Sequence, residues 1–451
     1  MSEPTGLALK QGAARASGLA ATLGRLRAVA GLTFLEAVRR KVFLIVLIVG
    51  AAIVSSAAFL PAVDPSGRLR LIEIWSVRTV TIFCSLGAIF LAGFSLPGDF
   101  EQRRIYTLVT KPIHKGTLFF GKFLGFVLLM AVFLAIMGVV TLAYLKFISA
   151  VSKDFPEARA YPRYETPRLE GQIPAAIGSG WATRSGDPIP LQWTFEGLPA
   201  GRFPERVAVR AKIDMRRLPG EEPRLEATVQ VVAVHPVTRE EETQVIRFET
   251  NRLMPEFDVP GRMISDDGRL IIRMRPDEPS VLLGSFPDWL SIRGNSVNFD
   301  LNFMKGMLLV LLQSSLVLLA TLSASTFVSA PVSILLGICL FLTGSTWSFV
   351  TDSLQDVDRR LLDAEKRARE GTPGQAPEDI PPWLLRVSGT MSRVVLEAVP
   401  DFDRYNFGEW LLTDTSVSSR DFGRALGAFA PRAAILLLVG LALISFRDFA
   451  T

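Results

Sequence analysis

Six apolar runs, residues 42–60, 80–96, 123–148, 304–327, 331–350 and 431–446, constrain this chain more than any other feature. A run of about 20 apolar residues crosses the ~30 Å hydrocarbon core of a bilayer as an α-helix. In lipid the helix is favoured because it satisfies every backbone donor and acceptor within its own segment. The predicted fold is a polytopic α-helical membrane protein with six transmembrane helices. Two polar inserts interrupt the apolar pattern: a β-sandwich-like insert at 149–303 and a second, helical insert at 351–430, both predicted to be extracytoplasmic. The 49% hydrophobic fraction is an average over these two kinds of sequence.

Charge sets the expected orientation. The segment 97–122 between the second and third runs carries Arg103, Arg104, Lys111, Lys115 and Lys122, as the positive-inside rule expects of a short cytoplasmic loop. Counting spans from there places both termini in the cytoplasm and both inserts outside, in a multi-pass protein of the cell (inner or plasma) membrane. The net charge of +5 sits mostly near span ends, so it reads as an orientation signal and not as a nucleic-acid footprint. Cys84 and Cys339 both fall inside apolar runs, which argues against a structural disulfide or a metal site. No secretory signal peptide is expected, because the first apolar run starts only near Val42, after Arg39, Arg40 and Lys41.

Residues 1–17 are small and polar and are predicted to be disordered. From 19 to 40 the pattern turns amphipathic. Leu19, Leu23, Leu26, Val29, Ala30 and Phe34 share a face, with Arg25, Arg27, Arg39 and Arg40 placed to meet lipid headgroups. That describes an interfacial elbow helix feeding the first span, so that 1–41 forms a cytoplasmic tail and elbow. Spans 1–3 with their loop occupy 42–148, spans 4 and 5 occupy 304–350, and span 6 with a short tail occupies 431–451. Trp75 is a candidate interface anchor.

The middle segment alternates with period two. Val207, Val209, Ala211 and Ile213 form one set, and Leu225, Ala227, Val229 and Val231 another. Residues 243–250, 270–274 and 297–301 are further predicted strands, and Asp267-Gly268 is a hairpin signal. Several short strands with turn residues between them predict a sandwich.

Chemistry-bearing motifs are few. Gly116 to Lys122 matches the first part of a phosphate loop, but Phe123 stands where a hydroxyl would bind Mg²⁺, and the segment leads into an apolar span and does not follow a buried strand. His114 and His235 lie on opposite sides of the predicted membrane, without ligand-spaced partners. Asp401 and Asp403 in PDFDRYNF are more simply a turn or helix start than a catalytic pair. In span 4, Gln313, Ser314, Ser315, Thr321, Ser323, Ser325 and Thr326 either line a pathway or bond between helices. Gly121 and Gly125 have the small-xxx-small spacing of close helix approach. The chain is expected to be no enzyme and to hold no cofactor or metal of its own.

The loop itself has docking character. Ile105, Leu108 and Val109 make an apolar stripe flanked by Glu101, Arg104 and Lys111, and Pro112 disfavours helix at the residue before it. The stretch from Glu101 to Gly125, ExxRIYTLVTKPIxKxxxxxGKFLG, resembles the first cytoplasmic loop of ABC-2 type transporter permeases. It is most similar to the branch named for multicopper-enzyme and nitrous-oxide-reductase maturation. Thr107, Leu108, Lys111, Pro112, Lys115, Gly121 and Lys122 occupy the family's positions. FLEAVRRKVF before span 1, the turn at Ser325-Thr326-Phe327 and the closing FRDF are similar too. The likeness covers the membrane parts and departs at the two inserts.

The resemblance implies a permease subunit energised by a separate cytoplasmic ABC ATPase, which would hold the ATP and Mg. It implies a second permease copy or paralogue as partner, and export or an extracytoplasmic process as the task. It also implies that Glu101, Arg103, Arg104, Ile105, Thr107, Leu108, Lys111, Pro112 and Lys115 receive the ATPase. Membrane lipid is the remaining expected partner, and nucleic acid is not one. The alternative reading is a membrane-anchored extracytoplasmic binding or assembly module without transport, although a pure anchor needs fewer spans. An intramembrane enzyme would need buried Asp, His or Glu inside the spans, which the six runs lack.

Overall fold

A computed structural model describes residues 5–39, 41–59, 65–101, 114–151, 167–174, 180–198, 205–217, 226–249, 256–279, 281–293, 297–347, 401–412 and 415–446. The chain divides into two units. A helical unit draws on Met1–Ala158, Phe303–Leu412 and Ser419–Thr451, and a β-rich unit on Arg159–Asn302 and Thr413–Ser418.

The α-helices are α1 (Thr5–Arg39), α2 (Lys41–Ser56), α3 (Pro65–Glu101), α4 (Lys115–Val151), α5 (Phe299–Ser325), α6 (Ala330–Ser345), α7 (Phe407–Leu412) and α8 (Ser419–Phe446), all in the helical unit except the first turn of α5. Among the described residues four stretches are long and apolar enough to cross a membrane: Leu71–Gly98, Lys115–Ala150, Phe299–Ser325 and Ser419–Phe446. They make this an α-helical protein compatible with membrane insertion. The helices predicted as spans 1 and 5 are apolar but have only 16 residues each. At 1.5 Å per residue that is about 24 Å, less than the hydrocarbon core.

Several boundaries differ from the sequence reading for local reasons. Residues 5–17 continue α1, consistent with the helix preference of Ala13, Ala14 and Ala16. Helix α3 begins at Pro65, well before 80, because Glu73 and Arg78 interrupt the apolar run without breaking the helix. Pro431, read as the start of the last span, lies inside α8. Its missing N–H forfeits a bond to the Gly427 carbonyl, yet the helix runs on. Asp421 in the first turn suits the positive N-terminal end of the helix dipole.

The long helices alternate in direction. Tyr144 Oη donates to the Ser55 carbonyl at 2.8 Å, and Trp75 Nε1 to the Ile53 carbonyl at 3.3 Å, which ties α2, α3 and α4 at one end. At the other end α3 stops and α4 starts, and the tight turn at 326–329 joins α5 to α6. Helix α5 is central, with 72% of its apolar window buried, whereas only 11% of the α8 window is buried.

The β-rich unit has twelve strands among the described residues: β1 (Arg168–Glu170), β2 (Ile173–Pro174), β3 (Trp181–Arg184), β4 (Leu191–Phe195), β5 (Arg206–Ala211), β6 (Asp214–Arg217), β7 (Glu226–Val234), β8 (Glu241–Glu249), β9 (Glu256–Pro260), β10 (Leu270–Pro276), β11 (Val281–Ser285) and β12 (Leu290–Arg293). They pair antiparallel into sheets ordered β1-β4-β10-β7-β8, β2-β3-β11-β6 and β12-β5-β9. The alternating residues supply the shared core: Val207, Val209 and Ala211 from β5, and Ala227, Val229 and Val231 from β7, are all buried. Trp193, Phe195, Ile272 and Met274 complete its centre. Three sheets thus stand where two were expected.

Residues 297–301 are no strand. Asn298 Oδ1 accepts the Leu301 N–H at 3.2 Å, and Asp300 sits in the first turn of α5, so the segment starts a helix. Asp267-Gly268 does form a tight turn, with Gly268 at φ 71° and its N–H on the Ser265 carbonyl. It is not a hairpin, since the flanking β9 and β10 lie in different sheets.

Candidate functional site

The candidate site is the end of the helical unit where α3 stops and α4 starts. Of the residues expected to receive a partner, Arg103, Arg104, Ile105, Thr107, Leu108, Lys111 and Pro112 lie outside the described residues. Glu101 is the last residue of α3, and Lys115 is the first of α4. The structure shows how those two flanking helices are held.

Helix α1 lies along the first turns of α4. A Cβ on Gly121 would come within 2.6 Å of Val29 Cγ1, and one on Gly125 within 2.6 Å of the Ala30 carbonyl oxygen. The two glycines therefore bring the backbones into near contact, as their four-residue spacing predicted. Thr33 closes this seam while its own hydroxyl is occupied by the Val29 carbonyl at 2.9 Å. The elbow is thus packed against α4; Leu32 and Leu35 on its other side are exposed, and so is Leu23, which was expected to share the face of Leu26 and Val29.

Lys122 fastens α4 to α3. Its ammonium donates to Ser95 Oγ at 2.8 Å and to the Ser95 carbonyl at 3.3 Å, and the side chain is buried. The residue that made Gly116 to Lys122 look like a phosphate loop is therefore spent on α3. The segment from Gly116 to Lys122 is helix throughout. At the start of α4, the His114 carbonyl accepts the N–H of Thr117 at 2.9 Å, and His114 Nδ1 accepts that of Gly116 at 3.2 Å. His114 caps the helix through two acceptors, a role the sequence reading did not assign.

A groove of about 870 Å³ opens beside this end, between α1, α4 and α8. Leu26, Phe120, Leu437, Leu441 and Ile444 make its walls, with His114, Lys115 and Ser445 at its polar end. Lys115 Nζ donates to the Ser445 carbonyl at 3.4 Å.

The polar residues of the fourth predicted span are buried in α5. Ser314 Oγ faces Ser85 Oγ of α3 at 3.3 Å, and Ser323 Oγ bonds the Leu436 carbonyl of α8 at 3.1 Å. Thr321, Ser325 and Thr326 bond carbonyls of their own helix at 2.8, 2.8 and 2.6 Å. Gln313 is buried as well. Of these contacts, those of Ser314 and Ser323 join α5 to α3 and α8.

At the opposite end, the segment around Asp401 makes contacts that sequence reasoning missed. Asp401 Oδ2 accepts Arg404 Nε at 2.7 Å across one turn, and Tyr405 Oη reaches the Ala425 carbonyl of α8 at 3.3 Å. Phe402 packs on Gly344 of α6, and Phe407 on Gly306 of α5 with its ring 5.8 Å from that of Phe303. Aromatic residues at 402, 405 and 407 in a polar stretch were the available signal. Glu73 is also buried, inside the membrane-length part of α3. It was overlooked because the predicted span began at 80.

No family model and no curated protein matches this chain. Among the described residues, no group of His, Cys, Asp and Glu is placed to hold a metal ion.

Proposed function

We propose that this chain is the membrane permease subunit of an ABC-2 type, ATP-driven transporter. A separate cytoplasmic ATPase that carries the ATP and Mg drives it, with a second copy or paralogue as its partner. The carrying observation is the bracing of the two helices that flank residues 102–113. Lys122 ties α4 to Ser95 near the end of α3, and Gly121 and Gly125 seat α1 against α4. A force applied to the intervening segment enters helices that are cross-linked to one another instead of being absorbed in one loose hairpin. Closely packed, hydrogen-bonded elements transmit displacement in this way. The six-span topology, with both termini inside and both inserts outside, belongs to this proposal.

The test uses the full chain co-expressed with a candidate ATPase. Leu108→Asp and Glu101→Arg should each abolish co-purification of the ATPase while membrane insertion is retained. Undiminished co-purification by both variants would sink the proposal.

The second reading, an extracytoplasmic binding or assembly module tethered by the helices, is favoured by one observation: the β-rich unit has its own continuous core. Deletion of that unit separates the two. A tethered module loses all activity with it, whereas the permease retains ATPase binding.

A further inference from the structure

We propose that the groove between α1, α4 and α8 binds an anionic phospholipid. Its depth in the membrane is the first reason. The membrane-length stretch of α4 starts at Lys115 and that of α8 ends at Phe446, and both residues border or adjoin the groove. Where α4 and α8 cross a bilayer, the polar end of the groove is the one nearer the headgroups and its apolar walls are the part nearer the acyl chains.

Charge is the second reason. Among the described residues that line the groove, Lys115 and His114 can carry positive charge and none is a carboxylate. His114 Nδ1 is occupied as an acceptor of the Gly116 N–H, which leaves Nε2 as the protonated, donating nitrogen. An ammonium and an imidazole N–H at the mouth of an apolar groove suit a phosphodiester followed by hydrocarbon. Basic pockets between transmembrane helices recognise anionic lipids by this combination.

Continuity is the third reason. The apolar walls run into the outer face of α8, where Leu438 and Ile435 are 65% and 61% exposed. Chains that begin in the groove continue along that face as ordinary boundary lipid. A soluble phosphate would satisfy the polar end alone and leave the walls of Leu26, Phe120 and Leu441 uncovered. The inference needs α4 and α8 to lie in a bilayer and needs nothing of the ATPase, so failure of the docking test leaves it standing.

The full chain is reconstituted into vesicles of equal parts phosphatidylglycerol and phosphatidylcholine, with a photo-reactive phenylalanine analogue in place of Leu441. After illumination the adducts are read by intact mass. Phosphatidylglycerol adducts should dominate. Lys115→Gln, made in the same background, should lower the ratio of phosphatidylglycerol to phosphatidylcholine adducts about fivefold, the effect of one basic residue near a membrane surface. An equal variant at Lys146, which does not line the groove, should leave the ratio unchanged. Adducts with phosphatidylcholine in equal amount, a cross-link to another polypeptide, or a ratio indifferent to Lys115→Gln would each overturn the proposal.

Discussion

At the scale of single residues, the most informative side chains are polar groups whose partners lie on other helices. Tyr405 is buried with its hydroxyl on the Ala425 carbonyl. Burial holds its pKa above the usual 10.0, partly offset by the nearby Arg432 and Arg404 charges. The folded state thus favours the neutral phenol. The stability it contributes is fully present below the unfolded value of 10.0 and is lost as pH rises through that value toward the folded one. Thermal unfolding in detergent should therefore show a loss of stability above pH 10.0 that Tyr405→Phe reduces. At neutral pH the same variant should cost about 1 kcal/mol, the worth of one hydrogen bond. Nothing in the local sequence announced this bond, since its acceptor is a backbone carbonyl 20 residues away on α8.

Between elements, the α1–α4 seam was legible and the plug of aromatic residues was not. Gly121 and Gly125 carried their message in spacing alone, because a gap of four residues puts two small side chains on one helix face. Their partner could not be read, as any helix with a complementary face would serve. Gly125→Val should force α1 away, since a Cβ there already lies 2.6 Å from the Ala30 carbonyl and 2.8 Å from Thr33 Cβ. The expected cost is about 1–3 kcal/mol, as for other overpacked sites. It can be measured as a lower unfolding temperature in detergent. The aromatic residues at 402, 405 and 407 escaped notice because their period fits neither a helix nor a strand. Phe402 and Phe407 are buried in gaps that Gly344 of α6 and Gly306 of α5 leave for them, and Tyr405 is buried with its hydroxyl on α8.

For the whole molecule, the alternating helix directions separate the chain ends that lead into residues 102–113 from those that lead into the two inserts. Proposed topology turns this into a labelling experiment. In a Cys339→Ser background, a cysteine at the exposed Asp267 should react with an impermeant thiol reagent added outside intact cells, and one at Gly116 should not. Labelling at position 116 but not at 267 would reverse the orientation. Cys84 needs no replacement because it is buried.

What the sequence determined by itself was the division into apolar helices and a β-rich insert. Both signals are local: a hydrocarbon-length apolar run in one case, and alternation with period two in the other. It also located four of the twelve described strands, β5, β7, β8 and β10, most plainly where one side of the alternation is buried, as in β7 and β10. Tertiary structure decided where helices stop, since Pro97 and Pro431 are tolerated within longer helices. It decided that Lys122 belongs to Ser95 and not to a phosphate. It decided too that a groove opens between α1, α4 and α8. Those outcomes depend on which faces meet across hundreds of residues, and a linear pattern records the face but not its neighbour.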